Sequence, residues 1–108
     1  MDNLVGKKFN TERLGCGEPL LIFYPDESKD FKYIEDIKYI YDTLKSKFSE
    51  VNDLQKNDIL VFEFNDIVHI GIYLGDNKFI HSTKLAGWHI TKLNKYKLSL
   101  KYIFRKSS

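Results

Sequence analysis

The sequence predicts an α+β fold in which N-terminal helices pack on an antiparallel β-meander. Two observations predict it: apolar residues recur at helical spacing in the first half of the chain, and the period changes to two from about residue 58 onward. With 108 residues, 43% of them hydrophobic, the chain has enough apolar material for one core. We therefore expect residues 1–108 to form one domain.

The first half begins with a predicted loop over the glycine-containing residues 4–17. Pro19 suits the first turn of a helix, and the apolar run 20–24 continues it until Pro25 ends it. The acidic residues 25–30 predict a second loop. Cys16 would then lie at the N-terminal end of a short buried helix.

A longer amphipathic helix follows, and the second half is predicted to be all strand. The helix is defined by one apolar stripe, made of Ile34, Ile37, Tyr41, Leu44 and Phe48. The alternating pattern predicts strands over 59–64, 68–74, 78–83, 88–93 and 100–105. Turn residues separate successive strands, and this is typical of an antiparallel meander.

Composition argues against several functional classes. The net charge of +2 is spread along the chain without a basic block, which argues against a nucleic-acid partner. Residues 20–24, the longest apolar run, are too few for a membrane span, and there is no signal-peptide pattern, so we expect cytoplasmic synthesis. The lone cysteine excludes an internal disulfide and a thiolate zinc cluster, and we expect neither a metal nor a cofactor.

The hairpin around residues 75–77 decides where two histidines lie. If these three residues form the loop, His69 and His81 become diagonal neighbours on one face of the sheet. A two- or four-residue loop would put them on opposite faces. In the three-residue register Gly71 faces His81, and we expect it to leave open space above the sheet for a substrate.

Cys16, His69 and His81 together supply the parts of a nucleophilic mechanism. A thiol at a helix N-terminus is favoured as thiolate, an imidazole can exchange its proton, and a second imidazole can orient the first. Each residue also has an ordinary interpretation, since a lone cysteine is often a packed small hydrophobe and strand histidines are often hydrogen-bonded fillers.

Three segments resemble the core of NlpC-type cell-wall cysteine peptidases, which have a papain-like fold. They are Lys56-Asn57-Asp58-Ile59-Leu60-Val61-Phe62, His69-Ile70-Gly71-Ile72-Tyr73-Leu74-Gly75-Asp76 and Lys78-Phe79-Ile80-His81-Ser82. The resemblance implies Cys16 as nucleophile, His69 as base and His81 as orienting residue. Upstream, residues 6–9 are similar to the segment that precedes the nucleophile in that family, and this puts Phe9 at the substrate.

The resemblance implies hydrolysis of peptidoglycan stem-peptide bonds, with the short phage-tail-associated members nearest and tail proteins or the virion as partners. Trp88 and the neighbouring His89 could shape a substrate groove, or simply fill the core or the surface. The sequence departs from the family where Gly15 and Gly17 flank the cysteine. It therefore also fits a catalytically silent binding or assembly module on the same fold.

Two related groups of enzymes match the order of these residues less well. The lecithin:retinol acyltransferase-like group is permuted and places its histidine before its cysteine. The amidase/peptidase group abbreviated CHAP generally relies on an acid or Asn where this chain has His81.

Overall fold

The computed structural model of the protein describes residues 18–29, 37–65, 67–83 and 87–106. These ranges form the predicted α+β fold, with helices packed on one curled antiparallel sheet. Its elements in chain order are α1 (Glu18–Phe23), α2 (Pro25–Ser28), α3 (Ile37–Lys47), β1 (Ser49–Val51), β2 (Ile59–Phe64), β3 (Ile67–Gly75), β4 (Lys78–Thr83), β5 (Gly87–Lys92), a 3₁₀ helix (Leu93–Ser99) and β6 (Leu100–Arg105). Two predicted site residues, Cys16 and Phe9, lie outside the described residues.

The strand order is β1-β6-β2-β3-β4-β5, so only part of the sheet is a meander. β2 to β5 pair in sequence, as predicted. β6 does not continue that series, because the chain leaves β5 at the sheet edge, passes through the 3₁₀ helix and pairs with β2 and β1 instead. The crossover lays the 3₁₀ helix against β2 and β5 and covers part of one face of the sheet.

α1 ends at Phe23, and Pro25 begins a new helix where the sequence predicted a loop. The loop prediction is wrong for α2, since proline at the first helical position and acidic residues in the first turn favour helix initiation. The buried hydroxyl of Ser28 lies 3.0 Å from the carbonyl oxygen of Leu20 and 2.7 Å from that of Tyr24. These contacts hold α2 against the end of α1.

α3 packs with the apolar stripe that predicted it. Leu44 and Phe48 are buried, Ile37 and Tyr41 are half-buried, and Ile40, which was not assigned to the stripe, is fully buried. Ile34 lies outside the described residues. The buried face of α3 is therefore centred closer to Ile40 than the pattern predicted.

The sheet separates two apolar clusters. On the helix face, α1 and α3 pack on residues that include Ile70, Ile72 and Ile80. The opposite side, here called the histidine face, carries Phe62 and Phe79 and is partly covered by Leu93 from the 3₁₀ helix. His69 and His81 alternate along their strands with helix-face residues and so belong to the histidine face.

The β3–β4 hairpin has the predicted register but not the predicted loop. Asp76 and Asn77 form a two-residue turn in which both φ angles are positive, 55° and 63°. Gly75 pairs with Lys78, and one extra residue, Leu74, forms a bulge before the next pair. The bulge offsets the shorter turn, so the pairs Ile72–Ile80 and Tyr73–Phe79 are those that the predicted register requires.

One buried carboxylate ties β2 to the end of β6. Asp58 is 1% exposed and accepts hydrogen bonds from the Arg105 guanidinium at 2.9 and 2.8 Å and from the backbone N–H of Gln55 at 2.8 Å. Arg105 also donates to Asp53 at 3.1 Å. The network joins chain segments that are far apart in sequence.

We expect Asp58→Ala to lower the free energy of unfolding by roughly 3 kcal/mol, because it leaves the Arg105 guanidinium and the Gln55 N–H without their acceptor. Lys101→Ala is the matched control, since Lys101 and Glu63 form a surface ion pair at 3.9 Å. Its expected cost is about 0.5 kcal/mol. Urea unfolding measures both, and equal costs for the two variants would contradict the role of Asp58.

Candidate active site

His69 and His81 meet on the histidine face, as the hairpin register predicts. Nε2 of His69 lies 2.5 Å from Nδ1 of His81, and the two rings are nearly perpendicular at 82°. His69 is the third residue of β3 and His81 the fourth of β4, so both lie near strand ends away from the 76–77 turn. The strands therefore fix a histidine pair whose rings are joined through one hydrogen bond.

Thr91 on β5 extends this pair to a chain of three groups. Its Oγ1 lies 2.8 Å from Nε2 of His81. Two tautomer arrangements satisfy both contacts. In one, Thr91 donates to Nε2 of His81 and Nδ1 of His81 donates to Nε2 of His69; in the other, the one that suits a base, His69 donates from Nε2 to His81 and His81 donates from Nε2 to Thr91. In that arrangement Nδ1 of His69 carries no hydrogen and can accept a proton.

Burial keeps both imidazoles neutral. It lowers the pKa of His69 to about 4, and the positive charge of a protonated His89 acts in the same direction. The pKa of His81 is lowered to about 3, first by burial and then by repulsion from the charged forms of His69 and His89. In the part of the chain that the structure describes, the pair is therefore uncharged at neutral pH, and His69 can accept a proton.

His89 lies beside this pair without joining its hydrogen bonds. It faces His81 across the β4–β5 ladder, with ring centroids 4.1 Å apart. Its own Nδ1 lies 3.0 Å from the carbonyl oxygen of Gly87. Within the described ranges, no group of three or more His, Cys, Asp or Glu side chains is arranged to hold a metal ion.

The space above Gly71 is filled and not open, which corrects the reason for placing this glycine at the substrate. A Cβ atom at Gly71 would lie 2.5 Å from Cδ2 of the Phe79 ring. Phe79 is itself buried and packs on His81, with ring centroids 4.6 Å apart. Gly71 is thus needed for the close approach of Phe79, which supports the histidine pair from beside it.

Trp88 is a core residue and not a wall of the histidine site. It is 3% exposed and belongs to the cluster on the helix face, while its neighbour His89 points to the other side. The alternation along β5 puts these two residues on opposite faces. This position fits the packing interpretation of Trp88 and corrects its proposed place in a groove.

The sequence did not identify Thr91, Phe79 and Tyr96 as parts of the site. The period-two pattern of β5 puts Thr91 on the same face as His89, and this alternation could have identified Thr91 as a neighbour of the histidines. Tyr96 reaches the site only through the 3₁₀ crossover, where its ring centroid lies 6.4 Å from that of His81. No local pattern predicts that crossover.

The described residues thus form an α+β fold in which two hydrogen-bonded histidines lie on one face of an antiparallel sheet and the helices pack on the other. The chain belongs to the NlpC/P60 family, whose family model matches residues 21–105. This is a family of cell-wall peptidases and amidases. The matched range includes His69 and His81 and begins after Cys16.

No curated protein matches the chain closely enough to add a relative to the family assignment. Within the part of the chain that the structure describes, no helix has the length and apolar character needed to cross a membrane.

We expect Thr91→Val to change the tautomer of His81, because its Nε2–H loses its acceptor. In the wild type, ¹⁵N–¹H correlation spectra of the imidazole rings should show both His69 and His81 as Nε2–H tautomers. In the variant the Nδ1–H form of His81 should become populated. Thr91→Ser keeps a hydroxyl and should restore the wild-type spectrum; identical spectra for wild type and Thr91→Val would rule out the orienting role.

The histidine pair should make the fold sensitive to mild acid. Both folded-state pKa values lie below the unfolded value of about 6.5, so protons bind preferentially to the unfolded chain. The stability that depends on the two neutral imidazoles is fully present above pH 6.5 and is lost as the pH falls toward 4. Thermal unfolding between pH 7 and 5 measures this loss largely before the carboxylates titrate.

His81→Asn is the control for that experiment, because its side chain keeps an acceptor near the position of Nδ1 but does not titrate. We expect this variant to be less stable than the wild type at pH 7 and to lose less stability between pH 7 and 5. An equal loss in both proteins would show that other groups cause the acid sensitivity.

Proposed function

We propose that this protein is a cysteine peptidase or amidase that hydrolyses bonds in peptidoglycan stem peptides, with Cys16 as nucleophile, His69 as base and His81 as orienting residue. The observation that carries the proposal is the His69–His81 hydrogen bond, together with the neutral state of both rings. This contact supports the assignment of His69 as the base and His81 as the residue that orients it. Family membership supplies the class of reaction and the cell-wall substrate.

The position of α1 supports Cys16 as the third member. Just after α1, the hydroxyl of Tyr24 donates to the carbonyl oxygen of Asn57 at 2.5 Å, which fixes this end of the helix near the start of β2. The helix is six residues, or about 9 Å, long and packs on β3 and β4. It therefore begins against the two strands that carry the histidines, and Cys16 precedes its first residue by two positions.

The proposal requires a path from Cys16 to His69 past the strand ends. Leu20 packs on the helix face, whereas the imidazoles lie on the other side of the sheet. His69 and His81 lie only two residues from the ends of their strands, so such a path need not cross the sheet.

In the proposed mechanism the thiol proton of Cys16 moves to Nδ1 of His69, and the thiolate then attacks the scissile carbonyl. The resulting imidazolium, held by its Nε2–H bond to His81, gives the proton to the leaving amine and leaves a thioester on Cys16. A water molecule then loses a proton to His69 and attacks the thioester. This releases the carboxylic acid and restores the thiol.

The first test is the pH dependence of alkylation of Cys16 by iodoacetamide, which is unambiguous because the chain has one cysteine. An unperturbed thiol has a pKa of about 8.5. We expect the labelling midpoint of the wild type to lie at least one pH unit lower, and we expect His69→Ala to return it toward 8.5. Rapid labelling should also abolish hydrolysis of stem peptides.

His89→Ala is the matched control, because it removes a neighbouring imidazole that forms no hydrogen bond with His69. Its midpoint should remain close to that of the wild type. An ordinary midpoint in the wild type, unaffected by His69→Ala, would exclude the proposed nucleophile and base. The chain would then be a silent module of the same fold, and binding of wall fragments or phage tail proteins without turnover would identify its role.

A further inference from the structure

Positive charge is concentrated in the last third of the chain, although no run of consecutive basic residues occurs there. Residues 1–76 contain all 15 Asp and Glu residues and 9 of the 17 Lys and Arg residues, whereas residues 77–108 contain the other 8 basic residues and no acidic one. The formal charges of these two parts are therefore −6 and +8. The small net charge of the whole chain conceals this separation.

The 3₁₀ helix displays three of these basic residues on its outer side. Its side chains follow a period of three, in which Leu93 is buried and Tyr96 half-buried against the sheet, while Lys92, Lys95 and Lys97 are exposed. We call these three residues the lysine ridge. At a rise of about 2 Å per residue, the ridge extends over about 10 Å. Among the residues that the structure describes, none forms an ion pair with it.

Lys78 adds a fourth positive charge where the ridge begins. It is exposed and pairs with Lys92 across the β4–β5 ladder. Like charges directly opposite each other on neighbouring strands repel, and this destabilises the sheet. A bound anion offsets the repulsion, so the pairing of two lysines favours an anionic ligand at this end of the ridge.

The lysine ridge borders the candidate active site. A cleft of about 200 Å³ lies beside the histidine pair, and its lining includes His69, His81 and Tyr96. Tyr96 comes from the middle of the 3₁₀ helix, between Lys95 and Lys97. A chain-like molecule that leaves the cleft past Tyr96 therefore meets the ridge.

We propose that the lysine ridge is a docking surface for the peptidoglycan strand, and that it binds free carboxylates of stem peptides next to the one in the active site. The inference rests on the proposed function, because it takes the wall polymer as the substrate. A stem peptide that is not cross-linked ends in a carboxylate, and one glycan strand carries many such peptides. Lysine suits a series of separate anionic groups, since its ammonium is a point charge on a flexible stem and requires no fixed bidentate geometry.

The same surface suits an anionic membrane or a nucleic acid less well. Leu98 is fully exposed beside the ridge, but one leucine provides little apolar area, and a helix that lies in a membrane surface needs a whole apolar face. Tyr96 packs against the rings of Phe62 and Phe64 on the sheet, so its ring is not displayed for stacking on bases.

Binding to insoluble peptidoglycan that has been freed of phosphate polymers tests the inference, with Cys16→Ser protein to prevent cleavage. The ridge variant carries Lys92→Gln, Lys95→Gln and Lys97→Gln. We expect it to bind about tenfold more weakly at low salt, because three exposed lysines each lose an anionic partner. The difference should disappear at about 1 M salt, where charges are screened beyond about 3 Å.

The matched control carries Lys38→Gln, Lys45→Gln and Lys47→Gln. These substitutions make the same change in net charge at exposed positions of α3, on the other side of the sheet. The control should bind within about twofold of the unsubstituted protein. Equal weakening in the two variants, or none in the ridge variant, would overturn the inference.

Amidation of the peptidoglycan carboxylates tests the identity of the ligand. The unsubstituted protein should bind the amidated polymer about as weakly as the ridge variant binds the untreated polymer. Full binding to the amidated polymer would overturn the assignment to carboxylates. Tighter binding to vesicles of anionic lipid than to peptidoglycan, lost in the ridge variant, would assign the ridge to a membrane instead.

Hydrolysis by proteins that retain Cys16 separates this inference from the proposed function. The ratio of kcat/KM on insoluble peptidoglycan to kcat/KM on a single soluble stem peptide should fall about tenfold in the ridge variant and stay unchanged in the control. An unchanged ratio in the ridge variant would overturn the docking role and leave the proposed function standing. If no protein cleaves either substrate, the proposed function fails, and the binding measurements alone decide on the ridge.

Discussion

The register of the β3–β4 hairpin is the constraint on which the candidate site depends. His69 and His81 are joined by a hydrogen bond only because they point to the same face, and a slip of one residue would send one of them into the core among the isoleucines. The two-residue turn by itself would cause that slip. The extra residue in the bulge at Leu74 prevents it, so a local irregularity far from the histidines sets their geometry.

The two faces of the sheet have different roles. The helix face is a conventional apolar core, and it fixes α1 against β3 and β4. Among the described residues, Leu93 of the 3₁₀ helix covers part of the histidine face, and a cleft lined by His69, His81 and Tyr96 lies on the same face. This partial cover makes the face dry enough to change the protonation of imidazoles and open enough to admit a ligand.

The sequence predicted the elements that depend on local periodicity. The stripe of α3 and the alternation of β2 to β5 each carry their signal within a few residues, and the juxtaposition of His69 and His81 follows from one hairpin. β1, the return of β6 beside β2 and the 3₁₀ crossover depend on contacts across the chain, which no local pattern encodes. The prediction of open space above Gly71 was wrong for a similar reason, because Phe79, which fills that space, comes from the opposite strand.

The packing on the histidine face also sets the charge of the proposed base. Phe79 and Tyr96 lie beside His81, and these rings remove water from the imidazoles. A dry imidazole with a low pKa does not supply a standing positive charge for a thiolate. An ion pair between His69 and Cys16 therefore requires the thiol itself to be near, because the negative sulfur raises the proton affinity of His69. Proton transfer from Cys16 to His69 would then precede attack on the carbonyl, and exclusion of water from the site strengthens the attraction between the two charges.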